Sequence, residues 1–221
     1  MHNLAQITAI IVNYQTPDLT RDCVESFRAL YPDVRLILID NGSNDHSRDD
    51  IAAVAQHAPT VTAQLNPTNI YHGPAMDQGI RMSTTPYVFT LDSDCVVQRP
   101  GFLEAMHAQA TAGDVYALGS LRWMDPFGYD LQAGARYYTR YVHPYAMLID
   151  RIKYLGLPPF VHHGSPCLRN MRAAQRRRYN LVDFPVADYI EHRGRGTCSR
   201  YGYGLGITTT IGYYLSRWFW Q

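Results

Sequence analysis

Runs of five or six apolar and β-branched residues recur through the first hundred positions, and each breaks off into polar or acidic residues. Ile7-Thr8-Ala9-Ile10-Ile11-Val12, Val34-Arg35-Leu36-Ile37-Leu38-Ile39, a weaker run at 60–65, and Tyr87-Val88-Phe89-Thr90-Leu91 are separated by helical stretches near 18–30, 46–57 and 75–82. Near-continuous apolar runs of this length suit strands buried on both faces. Repeated βα units joined by right-handed crossovers build a parallel sheet. The expected class is therefore α/β, with a mostly parallel, Rossmann-like central sheet.

Beyond residue 100 the rhythm changes. A helix is expected at 102–112 and a strand at 115–121, followed by an irregular Tyr-, Pro-, Gly- and Arg-rich stretch at 122–160 that admits a helix near 146–154. A helix at 168–178 ends in Arg176-Arg177-Arg178, and 181–190 reads as a short edge strand because Pro185 bars a central one. Gly73-Pro74 reads as a breaker. With no repeat or linker to divide it, the chain reads as a single domain over 1–221.

Hydrophobic content of 46% and charged content of 18% exclude a disordered chain. Met1-His2-Asn3-Leu4-Ala5-Gln6 lacks the basic start of a leader, and no run approaches a membrane span. Cys23, Cys95, Cys167 and Cys198 have no CxxC spacing, so free thiols in a reducing cytoplasm are expected. Charge is split: 6 Arg against 13 acids through residue 120, then 13 Arg and 1 Lys against 6 acids. An acidic half that holds metal beside a basic half that meets phosphate, an anionic acceptor or a membrane surface fits this split; so does a solvated arginine surface.

Asp92-Ser93-Asp94 stands where the fourth apolar run ends. Acids at the carboxyl end of a parallel strand face a crevice. Backbone alternation puts the outer two carboxylates on one face, so one can ligate a hard divalent cation while the other holds a water or a ligand hydroxyl. Mg²⁺ or Mn²⁺ bridging a diphosphate is the natural occupant. The competing reading is an acidic turn.

With Ile11-Val12-Asn13-Tyr14, Ile39-Asp40-Asn41-Gly42-Ser43, the 66–69 and 73–79 segments and Asp92-Ser93-Asp94 in order at successive strand ends, the chain resembles the family 2 glycosyltransferases of GT-A fold over about 7–115. The resemblance implies a metal-dependent, inverting transfer from a nucleotide sugar, with a UDP-sugar as the expected donor, residues 1–115 holding donor and metal and 116–221 the acceptor. Backbone near Val12 and Tyr14 and the Asp40 carboxylate would read the base, the competing reading being an Asp40 that caps its own turn. Asn69, His72, Gly73 and Asp77 would lie near nucleoside or sugar, and Ser93 would join the donor site. By the family's pattern Asp94 contacts metal, and Asp92 binds ribose or a metal-bound water. His192-Arg193-Gly194-Arg195-Gly196-Thr197 matches a segment whose His completes the metal site or touches diphosphate; Arg193, Arg195, Thr197 and Arg200 would support it.

One departure concerns the acceptor base. Relatives carry an acidic pair some thirty residues before that His, whereas Val161-His162-His163-Gly164-Ser165-Pro166-Cys167 holds no acid. Either His163 takes the proton or Asp125, Asp150 or Asp188 reaches in. The acceptor, whether sugar, lipid-linked or peptide, is not specified. The aromatic tail at 212–221 fits packing or a membrane interface, so peripheral contact with the inner membrane face and self-association stay open. No nucleic-acid module accompanies the triple arginine. A sugar-nucleotide nucleotidyltransferase lacks its Gly-rich basic loop here, and a non-catalytic sugar-nucleotide-binding module is the other alternative.

Overall fold

A computed structural model describes residues 4–131, 138–161, 165–194 and 200. A seven-stranded sheet runs in the order β3-β2-β1-β4-β7-β6-β8, where β1 is Ile7–Asn13, β2 Arg35–Asp40, β3 Val61–Leu65, β4 Tyr87–Asp92, β6 Val115–Met124, β7 Thr139–Asp150 and β8 Asn180–Asp183. Every pairing is parallel except those of β7, which runs against both β4 and β6. Six strands thus share one direction, and the expected mostly parallel α/β sheet is what the chain forms.

The apolar runs explain the layering. Ile7, Ala9 and Ile11 of β1 enter one core while Ile10 and Val12 enter another. Helices α1 (Pro17–Leu30), α2 (Ser47–His57) and α4 (Phe102–Ala112) cover the first face through Cys23, Phe27, Ile51, Phe102 and Met106. On the second face lie α3 (His72–Met82), α5 (Arg151–Leu155) and α6 (Leu168–Arg176), with Met76, Ile80, Tyr154 and Met171 buried.

Three local expectations change. No helix occupies 146–150: Ala146, Met147, Leu148 and Ile149 are fully buried in β7, between β4 and β6. An apolar run packed on both sides satisfies strand and helix patterns alike, and here the open edges of β4 and β6 decide. The expected edge strand at 181–190 is split, because Pro185 opens a short 3-10 turn, Val186–Asp188, between β8 and β9 (Ile190–His192). Pro74 does not break α3 but sits in its first turn, where a missing N–H costs nothing.

Topology sets the site. β1, β2 and β3 proceed outward in one direction, and β4 then pairs with the other flank of β1. Crossover connections diverge there, opening a crevice beyond the carboxyl ends of β1 and β4. Val12 and Asp92 are register partners at its floor.

Candidate functional site

Asp92 closes β4, the chain turns through Ser93 and Asp94, and β5 (Cys95–Val97) begins at once. β5 pairs antiparallel with β9, matching Cys95 to His192 and Val97 to Ile190. That two-stranded ladder brings a histidine nearly a hundred residues distant onto the acidic turn: His192 Nε2 lies 3.2 Å from Asp94 Oδ1. Arg193 N–H donates to the Asp94 carbonyl at 3.0 Å, locking the turn from the same side. Asp94, Cys95 and His192 each present a ligand atom within 4.8 Å of the others.

Asp92 has its own partner, His72 Nε2 at 3.4 Å, from the first turn of α3. Burial raises the Asp92 carboxyl, but the bond and charge of His72, helped by His143 and His192, outweigh it and hold the group below the usual carboxylate range. Burial opposes protonation of His72, yet Asp92 and then Asp94 push it above its ordinary value. His192 is raised as well, first by its bond to Asp94 and against burial. The site is an acidic turn flanked by imidazoles.

Residues that the sequence did not single out complete this wall. Tyr145 of β7 stacks on His192, with ring centroids 4.8 Å apart and planes 8° off parallel. His143, two residues earlier, sits 5.3 Å from the Tyr145 ring; burial lowers its basicity against the pull of Asp92, and Arg122 and His192 lower it further. Arg122, bonded to Asp130 at 3.0 Å, projects its charge onto His143, Tyr145 and His192. Pro144 between the two aromatic residues was the available signal, since proline inside a central strand marks a break in its ladder. Pairing of β6 with β7 is interrupted there, the register shifting between Gly119 and Leu121.

Amides organise the turns that follow β1 and β2. Asn13, wholly buried at the end of β1, donates to Asp40 Oδ1 at 3.1 Å and to Ser43 Oγ at 3.2 Å, and accepts from Thr20 Oγ1 at 2.7 Å. Asp40 is also fully buried, and its Oδ2 accepts from Ser43 N–H at 3.1 Å. Both of its oxygens are therefore engaged inside the protein, the turn-capping arrangement. Asn41 Nδ2 donates to Asn69 Oδ1 at 3.0 Å, tying the turn to the loop before α3. Gly42 has φ +78° and a Cβ there would lie 2.3 Å from Thr68 backbone, so only glycine lets the two loops touch. Tyr14 stands part-exposed at this mouth, and half-exposed Tyr71 adopts φ +73°, strain of the kind that clusters at ligand sites.

Other expected site residues have side-chain or packing partners of their own. Asp77 pairs with Arg81 at 2.9 Å and accepts from Tyr154 at 2.6 Å, serving the α3–α5 contact. Arg193 reaches Asp22 at 2.6 Å, and Arg200 reaches Asp18 at 2.6 Å and 2.7 Å, so both guanidinium groups meet α1. Arg200 holds the Asp18 carboxyl down at about 2. Gly73 packs directly on Val161, the residue before the His162-His163 pair. Of the substitute acids, Asp150 caps α5 at the far edge of the sheet, Asp188 is exposed ahead of β9, and Asp125 is buried in a turn accepting from Phe127 and Tyr129 N–H. His163, Arg195, Thr197 and the aromatic tail lie outside the described residues. A cavity of about 270 Å³ between α1 and α2, lined by Asn13, Thr20, Arg21, Leu38, Ser47 and Ile51 among others, includes neither Asp92, Asp94 nor His192. Among the described residues no helix is long and apolar enough to cross a membrane.

Comparison with known proteins agrees with this fold. The sequence model of the family described as glycosyl transferase family 2 matches residues 8–174. An uncharacterized glycosyltransferase of Nostoc sp. is 30% identical over 92 residues, 41% of this chain and 29% of that protein. Among solved structures, a mannosyltransferase from Pyrobaculum calidifontis in complex with GDP-Man and Mn²⁺ superposes with a TM-score of 0.63 at 14% identity, covering 81% of this chain and 55% of that one. S. aureus TarS 1–349 in complex with UDP-GlcNAc gives 0.60 at 13% identity, covering 84% and 60%. The chain thus spans less than two thirds of each of these proteins.

Proposed function

The chain belongs to glycosyl transferase family 2, and from that premise we propose that it moves a sugar from a nucleoside-diphosphate donor, with inversion, to a nucleophilic acceptor. The observation that carries this reading is the pairing of Asp94 with His192, 3.2 Å apart at the switch point of the sheet. The donor set fits a divalent cation: a carboxylate oxygen and an imidazole nitrogen converge on a turn whose backbone is already fixed by Arg193. Bound Mn²⁺ or Mg²⁺ would supply positive charge where the diphosphate departs.

Asp94 and His192 would hold that cation. Asp92, steadied by His72, has a second oxygen for a ribose hydroxyl or a metal-bound water, with Ser93 beside it. Val12, Tyr14 and the 40–43 turn would form the base slot, and Tyr71 is a second ring within the same mouth. Asp40 serves this slot by fixing Asn13 and Ser43 rather than by touching the base. We assign the acceptor's proton to His163, which lies outside the described residues, with Asp125 and Asp188 as the acids that could take its place, since Asp150 is committed to capping α5; His143 and Arg122 face the metal pair from the β6–β7 side, where the acceptor would approach.

Calorimetric titration with UDP, GDP and other nucleoside diphosphates, with and without Mn²⁺, tests the reading. One nucleotide should bind in a metal-dependent way and lose that dependence in Asp94→Ala. If no nucleotide binds and the variant behaves as wild type, the reading fails. GDP belongs in the panel beside UDP because the two solved relatives hold donors of different bases.

A further inference from the structure

Cys95 gives the metal pair a third neighbour of different chemistry. It is a cross-strand partner of His192 in the β5–β9 ladder, and directly opposed residues project from the same face with Cβ atoms roughly 4.5–5.5 Å apart. The thiol is free and buried, and it donates to the Tyr145 carbonyl at 3.7 Å, a weak interaction for sulfur. Tyr145 is also the residue whose ring stacks on His192. Sulfur, imidazole and carboxylate therefore converge from two adjacent strands and one turn, each within 4.8 Å of the others.

We propose that Asp94, Cys95 and His192 form a mixed oxygen, sulfur and nitrogen site that takes a thiophilic divalent cation such as Zn²⁺ or Cd²⁺. This rests on the reading of Asp94 and His192 as the metal pair. Hard cations select oxygen donors, whereas thiolate selects Zn²⁺ and softer ions. Zinc bond lengths of about 2.0–2.3 Å to oxygen, nitrogen and sulfur place neighbouring donors of a tetrahedral site roughly 3.2–3.7 Å apart. Asp94 and His192 already meet that spacing at 3.2 Å, and a shift of about 1 Å brings the sulfur to it. On binding, the S–H bond breaks, a sulfur–metal bond forms and the proton passes to solvent; no electron is transferred. A fourth position stays open.

Cd²⁺ titration of the full chain, followed by the ultraviolet thiolate-to-cadmium charge-transfer band, reads this directly. The band should saturate at one cation per chain, persist in Cys23→Ser, vanish in Cys95→Ser, and require at least tenfold more Cd²⁺ in His192→Ala. His192 is about a third exposed, so its variant is insulated from a folding failure of Cys95→Ser. A band that survives Cys95→Ser, an unchanged Cd²⁺ affinity in His192→Ala, or Cd²⁺ binding without any band overturns the proposal. Nucleotide is absent from the assay. A missing donor site would therefore leave the band in place, while Mn²⁺-dependent nucleotide binding without the band would remove this inference alone.

Discussion

Asp40→Asn separates the two roles open to the most buried acid of the site. Its Oδ1 accepts from Asn13 Nδ2 and its Oδ2 from Ser43 N–H, both at 3.1 Å, with no side-chain exposure and the Arg48 guanidinium 4.0 Å away. Asparagine keeps the shape and one acceptor, but its amide nitrogen must then face one of two N–H donors. One bond to a charged group, worth about 1.5–3 kcal/mol, is lost, and a buried donor left without a partner costs about 1–3 kcal/mol more. These terms overlap, so the expected destabilisation is roughly 2–4 kcal/mol, a large share of a total of about 5–15 kcal/mol. With a urea slope of about 2–3 kcal/mol/M for a chain of this size, the midpoint should fall by roughly 1–2 M. Nucleotide affinity, measured well below that midpoint, should change by less than about threefold, which is under ~0.7 kcal/mol. The reasoning is refuted if the midpoint stays within about 0.2 M of wild type while affinity for one base falls tenfold, because the carboxylate would then be spending its bonds on ligand.

Gly73→Ala places a Cβ 2.7 Å from the Val161 carbonyl carbon and 2.8 Å from its nitrogen. Overpacking of about 1–3 kcal/mol should exceed the roughly 1 kcal/mol helix preference of alanine, and a variant as stable as wild type in urea would contradict the contact. Mn²⁺ must displace the proton that Asp94 stabilises on His192, whose basicity is raised above 6.5; Mn²⁺ affinity should therefore climb with pH through a midpoint above that value, and a plateau reached below it would count against the pair. His72 is raised and Asp92 lowered in the fold, so their mutual stabilisation is fully present between 3.8 and 6.5 and is lost as pH rises through the folded value of His72 or falls through that of Asp92. Melting curves of His72→Gln should accordingly show a shallower decline in stability above pH 6.5, the remainder belonging to His192; an unaltered decline would count against the His72–Asp92 pair. Arg193→Ala and Arg200→Ala, whose charges meet Asp22 and Asp18 on α1, should each leave diphosphate affinity within about threefold, and a tenfold loss in either would return it to the donor site.

The parts of the site that were legible in the sequence are those dictated by strand ends. Ile7 to Val12 and Tyr87 to Leu91 are continuous apolar runs, so their exits had to lie at a sheet edge, and parallel order put Asp40 and Asp92 on the same edge. His192 was readable because a His-x-Gly-x-Gly segment resembling the family's follows a short β segment, although nothing local could show that β9 would pair with β5 rather than extend β8. Pro185 is the physical reason for that outcome: it ends one ladder, and the 3-10 turn redirects the chain toward Cys95. What stayed illegible is β7. Ala146 to Ile149 carries no period that distinguishes a twice-buried strand from a helix, and with that strand misread, His143 and Tyr145 had no reason to be placed beside Asp92 and His192. An antiparallel strand inserted between parallel neighbours delivers its starting residues to the very edge where its neighbours end. The basic half of the chain thus meets the acidic half at the crevice through histidines and Arg122 on β6 and β7, while Arg193 and Arg200 reach Asp22 and Asp18 on α1.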